Sequence, residues 1–235
     1  MSGGGTHSLT PWFRAFTLAE ILITLGIIGV VASLTMPSLI QHHKKAEATT
    51  RLKKFYSAMS QAILLSEIDN GPALDWQYPS YTDSNGEDIS AEDNKNFSLA
   101  YFNKYLAKYL KYMNVDENSS YTESDNIARY IKVTLADSSY FYMKVGACMD
   151  LRFDVNGDKS PNKDGRDIYT FIICSGGSNA DYHCAGKPFC PYGYGVFYND
   201  RTAAKNNCAE GAGDTCANLL LIDNWEFKDD YPFKL

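Results

Sequence analysis

Residues 14–40 read RAFTLAEILITLGIIGVVASLTMPSLI, and this stretch decides the fold of the chain. From Phe16 to Ile40 the run is apolar, with Glu20 as its only charged residue. As a helix it is long enough to cross the roughly 30 Å hydrocarbon core of a bilayer. A charge inside such a helix costs about 2.5–3.5 kcal/mol on insertion scales. The acid therefore indicates a role beyond anchoring or export.

The helical pattern continues past the apolar run. Residues 41–67 read QHHKKAEATTRLKKFYSAMSQAILLSE, and DNGP at 69–72 is a typical helix stop. The apolar residues of this second part fall on one helical face: Leu52, Tyr56, Met59 and Ile63. We predict one long helix whose second part packs on a soluble domain.

The remaining chain predicts a small α+β domain. We expect an exposed loop over 73–96 and a second helix over 96–113, with Phe102, Tyr105, Leu106, Tyr109, Leu110 and Met113 on one side. Alternating residues around an ADSS turn predict a β-hairpin over 130–145. Two further strands are predicted at 149–155 and 167–174, and a short apolar helix or strand from residue 216.

The composition of the chain narrows the class of protein to which it can belong. The 235 residues carry a net charge of −6, which argues against a surface that coats nucleic acid. The even set of cysteines lies entirely in the C-terminal half: Cys148, Cys174, Cys184, Cys190, Cys208 and Cys216. This clustering favours disulfides in an oxidising compartment over buried free thiols. Six cysteines allow fifteen connectivities, so the pairing stays open.

Residues 15–40 resemble the N-terminal segment of type IV pilins and type II secretion pseudopilins. That family carries a short leader, a cleavage site before a Phe, an acid four residues later and a long apolar helix with a proline. The matching positions, in order, are Phe16, Thr17, Leu18, Glu20, Gly29 and Pro37. The family usually has Gly before the cut. This chain has Ala15, which is also small.

The resemblance implies a fold, a maturation pathway and partners. The fold would be α+β and pilin-like: a long N-terminal α-helix on a small antiparallel sheet, with disulfide-closed C-terminal loops. A prepilin peptidase would remove the 1–15 leader between Ala15 and Phe16, and Phe16 would become N-methylated. Residues 16–40 would span the inner membrane and later form the filament core, residues 41–70 would extend the helix, and 71–235 would form the head.

In such a filament, Glu20 is expected to pair with the Phe16 amine of a neighbouring subunit. Opposite charges attract strongly in a low-dielectric helix bundle, and each relieves the desolvation of the other. The partners would be identical or related pilin subunits and an inner-membrane assembly platform. The head would lie outside the cytoplasm, in the periplasm or at the cell surface.

Other interpretations of the same segment are open. It could be a secretory signal cut after Ala32, or the anchor of an unrelated extracellular binding module such as an adhesin. The basic residues that follow it are Lys44, Lys45, Arg51, Lys53 and Lys54. Alone, the positive-inside rule would put the C-terminal part in the cytoplasm, whereas the cysteines and the resemblance put it outside. Contact of the basic residues at 44–54 with DNA is a less favoured interpretation.

The loop DVNGDKSPNKDGRD, residues 154–167, predicts a cation site. Asp154, Asn156 and Asp158 follow the spacing of calcium loops, and Asp164 or Asp167 could add a carboxylate. It is not an EF-hand, because the sixth and twelfth positions are Lys159 and Gly165. The alternative is a polar turn. Major pseudopilins of type II secretion systems carry a structural calcium in a loop of their β-region, so the resemblance favours calcium and a secretion pseudopilin here.

No sequence pattern for catalysis is present: there is no nucleophile elbow, phosphate loop or carboxylate pair. A zinc site at His183, Cys184 and Cys190 is disfavoured because the spacing lacks a tight pair of ligands. The sequence therefore predicts a structural subunit rather than an enzyme.

Overall fold

The computed structural model describes residues 16–82, 86–123, 126–197, 199–211 and 213–235. The predicted leader, with Ala15, lies outside these residues. Helix α1 runs over Leu18–Asn70, as predicted. It ends at Gly71, which takes the left-handed conformation (φ +76°) that glycine adopts without strain, and Pro72 follows. The described chain forms two compact units, one up to His43 and one from Lys44 onwards.

The second unit contains an antiparallel sheet of six strands in the order β1-β2-β3-β4-β5-β6. The strands are β1 Tyr112–Glu123, β2 Asn126–Leu135, β3 Tyr140–Val145, β4 Met149–Asp154, β5 Ile168–Ile173 and β6 Phe189–Pro191. Five further helices are α2 Ala91–Tyr105, α3 Gly177–Cys184, α4 Tyr194–Phe197, α5 Arg201–Glu210 and α6 Cys216–Ile222. The predicted hairpin and the two strands after it are confirmed by β2 to β5.

The core lies between the second part of α1 and one face of the sheet. Three of the four predicted stripe residues are buried, and Tyr56 is partly buried. Leu52 and Met59 have no exposed surface and Ile63 has 3%. Phe55, one residue outside the predicted set, stacks on Phe153 of β4 with ring centroids 4.1 Å apart. Burial of such aromatic and aliphatic side chains is the main source of stability. The fold is therefore α+β and pilin-like.

The second helix was predicted in the wrong place. It covers Ala91–Tyr105 rather than 96–113. It begins early because the Ser90 hydroxyl caps it, accepting a hydrogen bond from the Asp93 N–H at 3.1 Å. It ends early because the chain from Tyr112 pairs with β2 as strand β1, which the prediction lacked. Met113, expected on the buried side of the helix, is 67% exposed.

The predicted exposed loop over 73–96 is also wrong in part. Ala73 is fully buried and Trp76 is 4% exposed. The Trp76 ring stacks on Tyr105 with centroids 4.4 Å apart, and its Nε1–H donates to the Gly71 carbonyl at 2.9 Å. These contacts hold the segment after α1 against helix α2. They also make Tyr105 part of the core.

Candidate functional site

The first turn of α1 is closed by Thr17 and Glu20. Glu20 Oε2 accepts hydrogen bonds from the Thr17 backbone N–H at 2.8 Å and from the Thr17 hydroxyl at 2.9 Å. In return, Thr17 Oγ1 accepts a hydrogen bond from the Glu20 N–H at 3.2 Å. This reciprocal pattern is a capping box. Glu20 therefore has a local role that our sequence analysis missed, although the T-x-x-E spacing was visible.

The carboxylate keeps one oxygen for another partner. Within the described chain no donor reaches Glu20 Oε1, and the cap holds the carboxylate in place at the first turn. Phe16, the residue at the predicted cleavage site, precedes this turn and is 80% exposed. The capping box thus presents a fixed negative charge beside the position where cleavage would create an amine.

The large apolar side chains of the first unit have no protein neighbours that bury them. Those more than half exposed after Phe16 and Leu18 are Leu22, Ile23, Leu25, Ile27, Ile28, Val30, Val31, Leu34, Met36, Leu39 and Ile40. By length and composition α1 is, among the described residues, the one helix suited to crossing a membrane. Exposed apolar patches of this size are typical of surfaces that contact a membrane or other proteins.

The 154–167 loop brings three of its five predicted ligands together. Asp154 is fully buried and Asp167 is 3% exposed. Asn156 bridges them: its backbone N–H donates to Asp154 Oδ1 at 3.0 Å and its side-chain amide to Asp167 Oδ2 at 3.1 Å. Burial, together with the negative charge of Asp167, raises the pKa of Asp154 to about 7. The loop thus concentrates carboxylate oxygens where water is largely excluded.

The oxygens of this cluster are of the chemical type that a hard cation binds. Asp154 Oδ2 and Asn156 Oδ1 are buried and have no hydrogen-bond partner. Buried acceptors left without a donor are costly, and oxygen ligands are those that calcium prefers. Asp167 is better satisfied, because it accepts from the backbone N–H groups of Asn162 and Lys163 at 2.9 and 2.7 Å.

The other two predicted ligands, Asp158 and Asp164, contact basic residues outside this cluster. Asp158 is exposed and pairs with Lys132 of β2 at 2.9 Å. Asp164 pairs with the Arg152 guanidinium of β4, which also meets Asp214 at 3.3 Å. Across the described residues, no group of three His, Cys, Asp or Glu side chains is arranged to hold a metal ion. Only Asp154, Asn156 and Asp167 therefore stay together as a candidate set.

All six cysteines form disulfides, as predicted. The pairs are Cys148–Cys174, Cys184–Cys190 and Cys208–Cys216. His183 lies beside the second bridge, and burial lowers its pKa. Because both neighbouring thiols are oxidised, the disfavoured zinc site has no thiolate ligands. The bridges close the C-terminal loops around β5 and β6.

Comparisons with known proteins show similarity over about a quarter of the chain. The chain is 40% identical over 62 residues to the type IV major pilin protein PilA of Myxococcus xanthus, covering 25% of this chain and 27% of that protein. It is 37% identical over 57 residues to the type II secretion system core protein G of Escherichia coli, covering 24% of this chain and 39% of that protein. The corresponding protein of Pectobacterium carotovorum is 34% identical over 67 residues, or 28% of this chain and 39% of that protein.

The curated relatives that the chain matches over about a quarter of its length are thus type IV pilin and type II secretion proteins. Residues 38–235 match the model of a family of unknown function (DUF6613), and the chain belongs to that family. The chain spans between 27% and 39% of the length of the curated relatives it matches. No solved structure matches it.

Proposed function

We propose that this protein is a structural subunit of a pilin-like filament, with a type II secretion pseudopilus favoured over a surface pilus. A prepilin peptidase removes residues 1–15, and Phe16 becomes the methylated N-terminus. The subunit stays in the inner membrane through residues 16–40 until the assembly platform extracts it into the filament. The head then lies in the periplasm or at the cell surface.

The observation that supports this proposal is the capped Glu20 on an otherwise apolar and exposed helix. A neighbouring subunit's Phe16 amine would find the second oxygen, Oε1, already oriented. A subunit docked one turn out of register would leave this charge without a partner in an apolar environment, which is costly. The apolar side chains around it supply the packing, and the charge pair selects the register.

The experiment is to identify the mature N-terminus and to test Glu20. Mass spectrometry of the protein from intact cells is expected to show a chain that begins at Phe16 with a methyl group. Glu20→Ala is expected to reach the membrane at the wild-type level but to be absent from filaments isolated from the cell envelope and surface. A mature chain beginning at Ser33, or normal filaments from Glu20→Ala, would contradict the proposal.

Calcium is the cofactor we propose for the 154–167 loop. Asp154, Asn156 and Asp167 would hold it, with water and backbone carbonyls completing the 6–8 oxygens that the ion takes. When bound, the ion would neutralise the paired carboxylates and clip the loop to the ends of β4 and β5. The two buried oxygens without donors support this proposal.

Calorimetry tests the calcium site on the full-length chain in detergent. Calcium is expected to release or absorb heat and to raise the melting temperature, since a ligand that binds only the folded state stabilises it. Asp154→Asn should abolish both effects, whereas Asp158→Asn, at the exposed partner of Lys132, should retain them. Absence of heat and of any thermal shift in the wild type would exclude the site.

A further inference from the structure

A groove of about 300 Å³ lies beside the second part of α1. It is bounded by that helix, by the chain that follows α2 and by the β2–β3 turn. Its floor is apolar and includes Phe55, Leu65, Leu110, Leu135 and Phe153. Leu65 is 51% exposed, so apolar surface of this groove faces solvent. Exposed apolar surface with a polar rim is typical of a protein–protein contact.

The rim of the groove is positively charged, and we call the whole feature the basic groove. Its cations are Arg51, Lys54 and Lys111. Lys54 pairs with Asp137 at 2.7 Å, and Arg51 pairs with Glu47 at 3.0 Å. Lys111 is exposed and has no ion-pair partner in the described part of the chain. The rim therefore keeps a positive charge that the chain itself does not neutralise.

The chain also carries a surface of the opposite sign. Residues 86–93, the acidic segment, contain no Lys or Arg. Its four acids are all exposed: Glu87, Asp88, Glu92 and Asp93. Tyr81 lies next to it, because the Ile89 N–H donates to the Tyr81 carbonyl at 3.0 Å. The Tyr81 ring is 46% exposed. Glu92 pairs with Lys95 at 2.6 Å. The segment thus combines four acids, including the paired Glu92, with one projecting aromatic side chain.

Two elements place these surfaces at opposite ends of the head. The acidic segment leads into the N-terminus of α2, whereas Lys111 follows its C-terminus, and 15 helical residues span about 22 Å. Likewise Asp137 precedes β3, whereas Asn94 at the start of α2 binds Val145, the last residue of β3, through hydrogen bonds of 2.8 and 2.9 Å. The two surfaces are therefore too far apart to meet within one chain.

We propose that the acidic segment of one copy docks on the basic groove of the next copy, with Tyr81 entering the apolar floor. This inference rests on the proposed filament function and names the contact between heads. Opposite charges give the contact its orientation, and a buried tyrosine is a frequent source of interface affinity. Because the two surfaces differ, the contact is head-to-tail, and such contacts generate open helical assemblies when they do not close into a ring.

Charge exchange tests the contact in the full-length protein in cells. Lys111→Glu and Asp88→Lys are each expected to lower the yield of isolated filaments about fivefold, the effect of roughly 1 kcal/mol. The combined variant is expected to return to within about twofold of the wild type. Lys234→Glu, a reversal at an exposed lysine remote from both surfaces in sequence, is the matched control and should assemble normally. Equal membrane levels of all variants show that the subunits fold.

The outcomes separate this contact from the filament function itself. If the wild type forms no filaments, the proposed function and this inference both fail. If the wild type assembles but the single variants assemble equally well, or the combined variant is no better than either, the contact is wrong and the function stands. As a second readout, a photo-crosslinking residue at position 81 should capture Ala58, Leu65 or Leu135 of another copy. Crosslinks found only elsewhere would overturn the contact.

Discussion

Glu20 and Thr17 bond to each other in both directions. Glu20 Oε2 accepts from the Thr17 N–H and hydroxyl at 2.8 and 2.9 Å, while Thr17 Oγ1 accepts from the Glu20 N–H at 3.2 Å. The same carboxylate therefore caps the helix and carries the charge that we assign to assembly. Removing the whole side chain would alter both properties, so the two must be separated by milder substitutions.

Glu20→Gln and Thr17→Val separate the capping role of Glu20 from the role of its charge. Gln keeps an oxygen that can accept the cap hydrogen bonds but carries no charge, so filament yield should fall as far as in Glu20→Ala. Val removes the Thr17 hydroxyl and costs about 1 kcal/mol of helix stability, yet leaves the charge, so filaments should persist. The measurement is the fraction of subunits in isolated filaments at equal membrane levels. Wild-type assembly of Glu20→Gln would show that the acid acts only as a cap.

Phe55→Ala should strongly destabilise the head. The Phe55 ring stacks on Phe153 at 4.1 Å and lies 5.2 Å from Phe171, so its removal leaves a cavity between α1 and the sheet. We expect a loss of about 3–5 kcal/mol in the free energy of unfolding, measured by urea titration of the full-length chain in detergent. Leu64→Ala on the same helix is the control, since Leu64 is 63% exposed and should change stability by less than about 0.5 kcal/mol. Similar losses in both variants would contradict the packing.

The three disulfides should contribute unequally to the stability of the head. The bridge Cys148–Cys174 closes a sequence separation of 26, against 6 for Cys184–Cys190 and 8 for Cys208–Cys216. In the chain-entropy model, removing the first should cost about 3.5 kcal/mol and each of the others about 2–2.5 kcal/mol. Paired Cys→Ser variants and their melting temperatures measure this order. A larger loss from Cys184→Ser/Cys190→Ser than from Cys148→Ser/Cys174→Ser would reverse it.

Asp137 should contribute a pH-dependent term to stability. Partial burial raises its pKa, but hydrogen bonds from Lys54 and Ser139 outweigh this effect and lower the pKa from 3.8 to about 2. A lowered carboxyl pKa stabilises the fold above pH 3.8, and this stabilisation disappears as the pH falls towards 2. Because the pair is partly exposed, we expect less than about 2 kcal/mol.

The measurement compares Asp137→Asn with the wild type between pH 2 and 7. The variant should be less stable at pH 7 and equal to the wild type near pH 2. Lys54→Met should reduce the pH dependence by removing the cation that lowers the Asp137 pKa. A stability difference that stays constant with pH would exclude this role of Asp137.

The elements predicted correctly from the sequence are those with a strong local period. Helix α1 follows from its apolar run and the stripe through Leu52 and Met59, and the β2–β3 hairpin follows from its alternation. Strand β1 was missed because it lies at the edge of the sheet and its sequence, YMNVDENSSYTE, is mostly polar. Helix α5 was missed because it is largely polar. Its Arg201 reaches Asp223 and Asp230, contacts that no local pattern reveals.

The 154–167 loop also contains contacts that the local sequence pattern predicts and contacts that it cannot predict. Spacing alone selected Asp154, Asn156 and Asp158, because consecutive odd positions commonly face one ion. The fold instead turns Asp158 towards Lys132 and Asp164 towards Arg152, both on the sheet. Each of these pairs joins residues distant in sequence, so counting positions within the loop could not identify them. Thr17 differs, since its partner is three residues away and its role was readable from the sequence.

The order of the disulfides has a consequence for biogenesis. Each cysteine is bonded to the next one along the chain: 148 with 174, 184 with 190 and 208 with 216. A chain that enters an oxidising compartment N-terminus first would therefore meet its cysteines in native pairs. Of the fifteen possible connectivities, this one arises by simple sequential oxidation. If each pair is oxidised as it is exported, the native disulfides would form without an isomerase to rearrange mispaired ones.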